Sequence, residues 1–245
     1  MQARMSSTRL AGKVMLRVDE KNPVLYYVIK QISESKLCDK LVIATTTSLE
    51  DEKIVKFAKD MNISCFRGSV EDCLDRYYQC AKEFSLSTIV RITCDNPLID
   101  PTLVDNAILF YKSNAYDYVT NCRERTFPQG TEIEIFSFSA LEKAWKEAKK
   151  YSEREHVTPY FYNNPDQFKI FNIRNNENLS HLRWTVDRKE DLEFVKNIVS
   201  KIKKSPILMS DILKLLKIEP ELININKNYA MDEGYLKSLK EDQKN

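Results

Sequence analysis

The first 110 residues alternate short β-branched runs with amphipathic helical runs, and few architectures accommodate that order. "KLVIATTT" (40–47), "ISCFRG" (63–68) and "STIVRITCD" (87–95) are short and β-branched, as buried strands are. Between them lie helical stretches. Pro23 opens one, with Leu25, Val28, Ile29 and Ile32 as its apolar stripe. Ser48 is placed to cap "LEDEKIVKFAKDM", with Asp51 three residues on, and Ser69 with Asp72 repeats that arrangement before "CLDRYYQCAKEF". A further helix follows Pro101, with Leu103, Ile108 and Leu109 assigned to its buried side. Strand, helix, strand, helix predicts an α/β sheet, largely parallel, with helices on both faces. Ligands of such sheets bind beyond the carboxyl ends of the strands.

The second half changes character. "DYVTN" (117–121), "TEIEIFS" (131–137), "FKIFNI" (168–173) and "LRWTVD" (182–187) are strand-like, while "SALEKAWKEAKK" and "REHVTPYFYNN" are helical. The last strong βα unit runs from "LRWTVD" into "RKEDLEFVKNIVSKIK". One domain spanning 1–245 is expected, with residues 120–175 as an inserted lobe and 236–245, rich in Lys, as a frayed tail.

Charge narrows the function classes. The formal net charge is +2 on 245 residues, which gives no reason to expect a nucleic-acid or anionic-membrane partner. No apolar run approaches the ~18 residues of a membrane span and no signal peptide is visible, so a cytoplasmic protein is expected. The six cysteines form no C-x-x-C pair and His156 and His181 are the only histidines, which disfavours structural zinc; reduced, mostly buried thiols are expected.

Two aspartates end strands, Asp95 in "IVRITCD" and Asp187 in "LRWTVD". Converging at the carboxyl edge of the sheet, they would form a hard-oxygen site for Mg²⁺. Taken singly, Asp187 is more readily a helix cap and Asp95 the start of a turn before Pro97; a cationic loop nearby shifts the balance toward the metal. Near the start, "QARMSSTRLAGK" sets Arg4, Arg9 and Lys13 among small residues. Arg offers a planar fork and Lys a compact charge for phosphate oxygens, and Ser6, Ser7 and Thr8 let backbone N–H groups approach an anion. The glycine spacing of a Walker A loop is absent, so composition leaves a phosphate cradle and a basic surface turn equally open.

The chain resembles the cytidylyltransferases that activate sugars as CMP derivatives, in the branch of the SpsF-like spore coat polysaccharide proteins. The resemblance is carried by "QARMSSTRLAGKVML", "LVIATTT", "FRGSVEDCLDRYY", "VRITCDNPLIDP", "DYVTN", "RTFPQGTEIEIFS", "EREHVTPYF", "LRWTVDRKEDLEFV" and "EPELININ", in family order over nearly the whole chain. It implies a Rossmann-like nucleotidyltransferase fold, CTP and a sugar as substrates, Mg²⁺ as cofactor, and a homodimer built partly through the lobe. It implies that Arg4, Ser6, Ser7, Thr8, Arg9 and Lys13 hold the triphosphate and that Asp95 and Asp187 hold Mg²⁺. Ser69 and Arg76 would approach the nucleotide, and Arg125, Gln129 and His156 the sugar, against a scaffolding role for each. Departures from the family pattern are Ala11 where Pro is usual, "DEKNPVL" in place of a glycine-containing turn, and a first strand of which Met1 is the last position. About five further apolar residues would complete that strand, and without them its neighbours are expected to lose ladder partners.

The expected reaction is attack of a sugar hydroxyl, most simply of an acidic sugar, on the α-phosphorus of CTP with loss of pyrophosphate. It would serve surface polysaccharide or glycoprotein glycan synthesis. No side chain stands out as a general base. A glycosyltransferase of GT-A-like fold is the alternative enzyme, disfavoured by the lack of any D-x-D. A weakened or non-catalytic family member is the other alternative.

Overall fold

Parallel pairing of the first two strands sets the frame. The computed structural model describes residues 1–229 and 231–244. After α1 (Val24–Ser33), β1 (Val42–Thr46) is buried along its whole length, leads through a single 3₁₀ turn into α2 (Glu52–Asp60), and pairs in parallel with β2 (Ser64–Gly68), Val42 opposite Ser64. α3 (Cys73–Glu83), β3 (Thr88–Arg91) and α4 (Pro101–Lys112) follow in the expected order.

Residues 1–3 lie between β1 and β3. Ala44 N donates to Met1 O (2.7 Å), Ala3 N to Ala44 O (3.2 Å) and Cys94 N to Gln2 O (3.2 Å), while the terminal ammonium donates to Val42 O (2.7 Å). Ala44 and Cys94 therefore find ladder partners in residues 1–3. β4 (Tyr118–Thr120), β5 (Glu134–Ser137) and β6 (Ile170–Asn172) extend the sheet. β5 runs antiparallel between β3 and β4, and β6 pairs in parallel with β4. Across the sheet the order is β2, β1, residues 1–3, β3, β5, β4, β6. Residues 120–175 thus supply strands of this sheet rather than a body apart. Their helices α5 (Phe138–Glu147), α6 (Tyr151–His156) and α7 (Pro159–Asn163) share an apolar core with α3, around Leu74, Leu141 and Phe161.

Several local expectations are corrected. Ser48 makes no cap, because Asp51 turns inward and accepts from Thr46 Oγ1 (2.5 Å) and Met5 N (2.6 Å). Asp72, not Ser69, is the cap of α3, accepting from Asp75 N (2.8 Å) while Ser69 Oγ accepts from Asp72 N. Leu109 is 52% exposed; Val104, Ala107 and Ile108 carry the buried face of α4. "REHVTPYFYNN" is two helices, broken at Val157, whose φ of 72° no helix continues through. "LRWTVD" buries Leu182, Trp184 and Val186 but joins no ladder beyond a single parallel bridge, Gln129 to Arg183.

α8 (Lys189–Lys201) and α9 (Met209–Ile218) close the chain over a core centred on Trp184, Phe194 and Ile212. The residues expected to fray lie largely in α10 (Glu233–Asp242), which docks on α6: Ser152 N and Oγ donate to the Asp242 carboxylate at 2.9 and 2.5 Å. Asn245 of that tail lies outside the described residues.

Candidate active site

The opening segment leaves the sheet at Ala3 and folds into a closed loop. Met5 N is pinned by Asp51 at the end of β1, and Gly12 N donates to Met5 O (2.9 Å). Gly12 has φ 64°, a left-handed turn that glycine makes without steric cost, and Lys13 follows in a short 3₁₀ turn. Ser6 and Thr8 are exposed at the loop tip, and Ser7 Oγ accepts weakly from Leu10 N (3.4 Å).

The turn drives Lys13 under the sheet edge, where its ammonium lies between the two strand-end aspartates. Nζ is 2.5 Å from Asp95 Oδ2 and 2.6 Å from Asp187 Oδ1. Arg9 reaches the same Asp187 oxygen at 2.5 Å. Burial pulls the Lys13 ammonium down, but Asp95 and Asp187 outweigh it and hold the group above its usual range. For Asp187, burial is overcome by Lys13 and Arg9, and the carboxyl is held well below the usual carboxylate range. Lys13 and Asp187 are therefore charged at neutral pH.

A second layer fixes Asp187. Arg183 donates to Asp187 Oδ2 (3.3 Å) and, through two nitrogens, to Asp191 at 2.7 and 2.9 Å. Asp191 accepts in turn from Asp187 N and Arg188 N (both 2.9 Å), and Asn226 Nδ2 donates to Asp191 and to Arg183 O. Such a fully partnered buried network orders the loop carrying Asp187.

From this cluster a cavity of about 600 Å³ extends along the sheet edge. Arg9, Asp95 and Asp187 line it, as do Arg91, Glu134, Tyr118, His156 and Tyr162. Arg91 forms an ion pair with Glu134, which also accepts from Tyr118 OH (2.6 Å). His156 Nε2 shares a hydrogen bond with Ser238 Oγ (2.9 Å); burial, aided by the nearby Arg91 and Arg4 charges, brings its pKa down to about 4, so it is neutral at pH 7. On the flank, Arg125 bonds Glu132 (3.0 Å) and Asp232 (2.7 Å). Gln129 is spoken for by Arg183 Nη1, which donates to its Oε1 at 2.8 Å.

The structure thus brings Arg9, Lys13, Asp95 and Asp187 together, with Arg125, Gln129 and His156 around the same cavity. Three residues lie elsewhere. Arg4 turns to Glu155 of α6 (2.5 Å). Ser69 lies ahead of α3, where its Oγ accepts from Asp72 N (3.1 Å). Arg76 is 1% exposed, its guanidinium spent on Ser69 O (2.5 Å) and Cys73 Sγ (3.2 Å), so it offers no surface to a nucleotide. Sequence reasoning missed Arg183, Asp191 and Asn226, although all three lie within "LRWTVDRKEDLEFV" and "EPELININ".

Two carboxylates directed at one cationic point form a hard-oxygen donor pair suited to Mg²⁺, with the Lys13 ammonium marking where they converge. Among the described residues no group of three or more His, Cys, Asp or Glu stands ready as a metal site, so an ion here would draw further oxygens from substrate or water. No described helix is long and apolar enough to cross a membrane.

Comparison with known proteins agrees with this geometry. The cytidylyltransferase family profile matches residues 1–233. The spore coat polysaccharide biosynthesis protein SpsF of Bacillus subtilis is 33% identical over 234 residues, covering 90% of this chain and 93% of that protein. A 3-deoxy-manno-octulosonate cytidylyltransferase of Pelobacter propionicus is 32% identical over 108 residues, 43% of this chain and 40% of that one. Among solved structures, a cytidylyltransferase of Leptospira borgpetersenii superposes with a TM-score of 0.88 at 35% identity, covering 94% of this chain and 96% of that one. With the cationic loop and paired aspartates at the edge of an α/β sheet, these matches show that the chain belongs to the cytidylyltransferase family, the CTP-dependent nucleotidyltransferases.

Proposed function

We propose that the chain transfers CMP from CTP to a hydroxyl of an acidic sugar, releasing pyrophosphate, in the synthesis of a surface polysaccharide or glycan. The observation that carries this reading is Lys13 held between Asp95 and Asp187 beside a cavity of about 600 Å³ that both carboxylates line. The SpsF relative supports the polysaccharide setting, and the Pelobacter relative, named for a sugar acid, the class of acceptor.

In this reading the cluster exchanges partners when substrate binds. Arg9 and Lys13 leave the carboxylates for the β- and γ-phosphate oxygens, and keep hold of them as pyrophosphate departs. Asp95 and Asp187, relieved of those cations, hold Mg²⁺, which when bound neutralises charge at the α-phosphate. The sugar oxygen bonds to the α-phosphorus, the bridging P–O bond to the β-phosphate breaks, and the hydroxyl proton passes to water. His156, neutral and bonded to Ser238, orients the acceptor rather than taking its proton. Arg183, Asp191 and Asn226 keep Asp187 in place throughout. A cytoplasmic homodimer belongs to the same proposal, and sedimentation of the purified chain tests the dimer.

The experiment is a panel of acidic and neutral sugars with CTP and Mg²⁺, scored by pyrophosphate release and by the mass of the CMP-sugar. Absence of pyrophosphate with every acceptor refutes the reading. Release of a nucleoside diphosphate from a nucleotide sugar would favour the glycosyltransferase instead.

A further inference from the structure

The family match ends at residue 233, where α10 begins, yet the first turn of α10 and the residues before it wall the cavity. Met231, Asp232, Glu233, Gly234 and Tyr235 all line it. Gly234 runs so close that a Cβ there would sit 3.1 Å from Arg9 Nη1. Two acidic side chains of this segment hold cations: Asp232 pairs with Arg125 and Glu233 with Arg188, each at 2.7 Å.

The guanidiniums lining the cavity differ in how they are held. Arg9 is bound to Asp187, and Arg91 to Glu134, a buried residue of β5. Arg125 has two carboxylate partners of unequal firmness. Glu132 is itself fixed by Asn96 Nδ2 (3.1 Å) and Gly130 N (2.8 Å). Asp232 has a side chain 46% exposed, and among the described residues Arg125 is the partner of its carboxylate. The rest of α10 is anchored independently, by Asp242 to Ser152 and by Ser238 to His156, so rotation of the Asp232 side chain alone releases Arg125 Nη2 while Nη1 stays on Glu132.

We propose that Asp232 tunes affinity for the acceptor, as a built-in competitor that holds Arg125 until the carboxylate of an acidic sugar takes its place. The exchange trades one carboxylate for another on the same guanidinium fork, so a neutral sugar gains nothing from it. Preference for acidic over neutral acceptors then comes from Arg125, and the competitor keeps affinity for the acid moderate, so its removal widens that preference. Because this rests on the acidic-sugar reading above, the test separates the two.

Asp232→Asn removes the charge but keeps a residue at ease at φ 58°. Binding of 3-deoxy-manno-octulosonate, with mannose as the neutral control, is measured by calorimetry on the full chain. Hydrogen exchange of residues 231–242 is followed alongside. An exposed ion pair is weak, so the variant should bind the acid about two- to five-fold more tightly, with no change for mannose. Arg125→Gln should lose acid binding by about ten-fold or more. In the wild type, the acid but not mannose should speed exchange at 231–235. Asp232→Gly, also suited to positive φ, should behave as Asn does and guards against a folding defect. Unchanged or weaker acid binding in both Asp232 variants, or equal gains for acid and mannose, overturns the proposal. If pyrophosphate release from CTP is never seen but the acid-selective gain is, the competitor stands and the transfer reading falls. If transfer occurs only to neutral sugars and the acid does not bind, the competitor falls and cytidylyl transfer stands.

Discussion

Replacing Lys13 by Met keeps the buried stem and deletes the ammonium that two carboxylates share. Asp187 retains Arg9 and Arg183, whereas among the described residues Asp95 has no other side-chain partner for its carboxylate. Breaking a buried ion pair costs about 3–5 kcal/mol, and a charge-assisted hydrogen bond is worth about 1.5–3 kcal/mol. The Asp95 side chain is 21% exposed and partly hydrated, so about 2–3 kcal/mol is expected. For a chain of this size each kcal/mol moves Tm by about 2–4 °C, which gives a fall of about 4–12 °C at pH 7.5. The fall should shrink in acid. The depressed Asp187 carboxyl contributes stability that is complete above the unfolded pKa near 3.9 and is lost as pH drops through its folded value. Magnesium at millimolar concentration should raise Tm of the variant more than that of the wild type, because the ion supplies the missing charge. Thermal melts by circular dichroism, with and without Mg²⁺, decide both points. A drop below about 2 °C would refute the energetic role of Lys13, and equal magnesium shifts would refute the metal reading of Asp95 and Asp187.

Asp95→Asn and Asp187→Asn should each lower turnover by about two orders of magnitude or more at saturating Mg²⁺, with far-ultraviolet circular dichroism confirming the fold; near-normal turnover removes that aspartate from the chemistry. Arg9→Ala should weaken CTP binding more than CMP binding, since the lost contacts are to phosphates that CMP lacks, and equal weakening measured by calorimetry would return the opening loop to a basic turn. For His156 the folded pKa of about 4 lies below the unfolded value near 6.5, so above pH 6.5 neither state binds the proton, and between 6.5 and 4 only the unfolded chain does. Stability should therefore fall by up to about 3 kcal/mol over that window as pH is lowered, and denaturant titrations of His156→Gln should lack this component of the slope.

The first half of the fold was legible because each element carries its own periodicity and its own end signals. β1 is a short β-branched run, and Pro101 marks a helix start whatever surrounds it. Failures came where a side chain serves a distant partner instead of its neighbours. Asp51 has the spacing of a capping partner for Ser48 but is drawn inward to Thr46 and Met5. "LRWTVD" alternates as a strand should and buries the expected residues, yet its backbone bonds are spent on Gln129 and Asp95: Trp184 N donates to Gln129 O (2.6 Å) and Val186 N to Asp95 O (2.8 Å). Alternation reports which face is buried, and says nothing of whether a ladder partner is available. α10 escaped because a Lys-rich amphipathic segment looks alike whether solvated or docked, and its docking rests on Ser152 and His156, some ninety residues away.

Residue type at the end of a β-like run singles out Asp95 and Asp187, and charge among small residues singles out Arg9 and Lys13; the structure brings the four together. Arg76 shows the limit of carrying a role by position. Its place on the first turns of α3 puts the guanidinium beneath Ser69 and Cys73, and no open surface is left for a ligand. Arg183 shows the converse. Nothing in its neighbourhood marks it, because its importance lies in joining Gln129, Asp187 and Asp191, with Asn226 bonding its carbonyl and so tying a fourth stretch of chain to the group. Residues that contact substrate are constrained by chemistry, which a sequence displays as residue type. Residues that position them are constrained by where separate segments meet, which only the fold displays. Variants of the two kinds should therefore differ in kind: Arg183→Lys keeps the charge but loses the fork that spans two carboxylates, and it should disorder Asp187 without altering the net charge of the cluster.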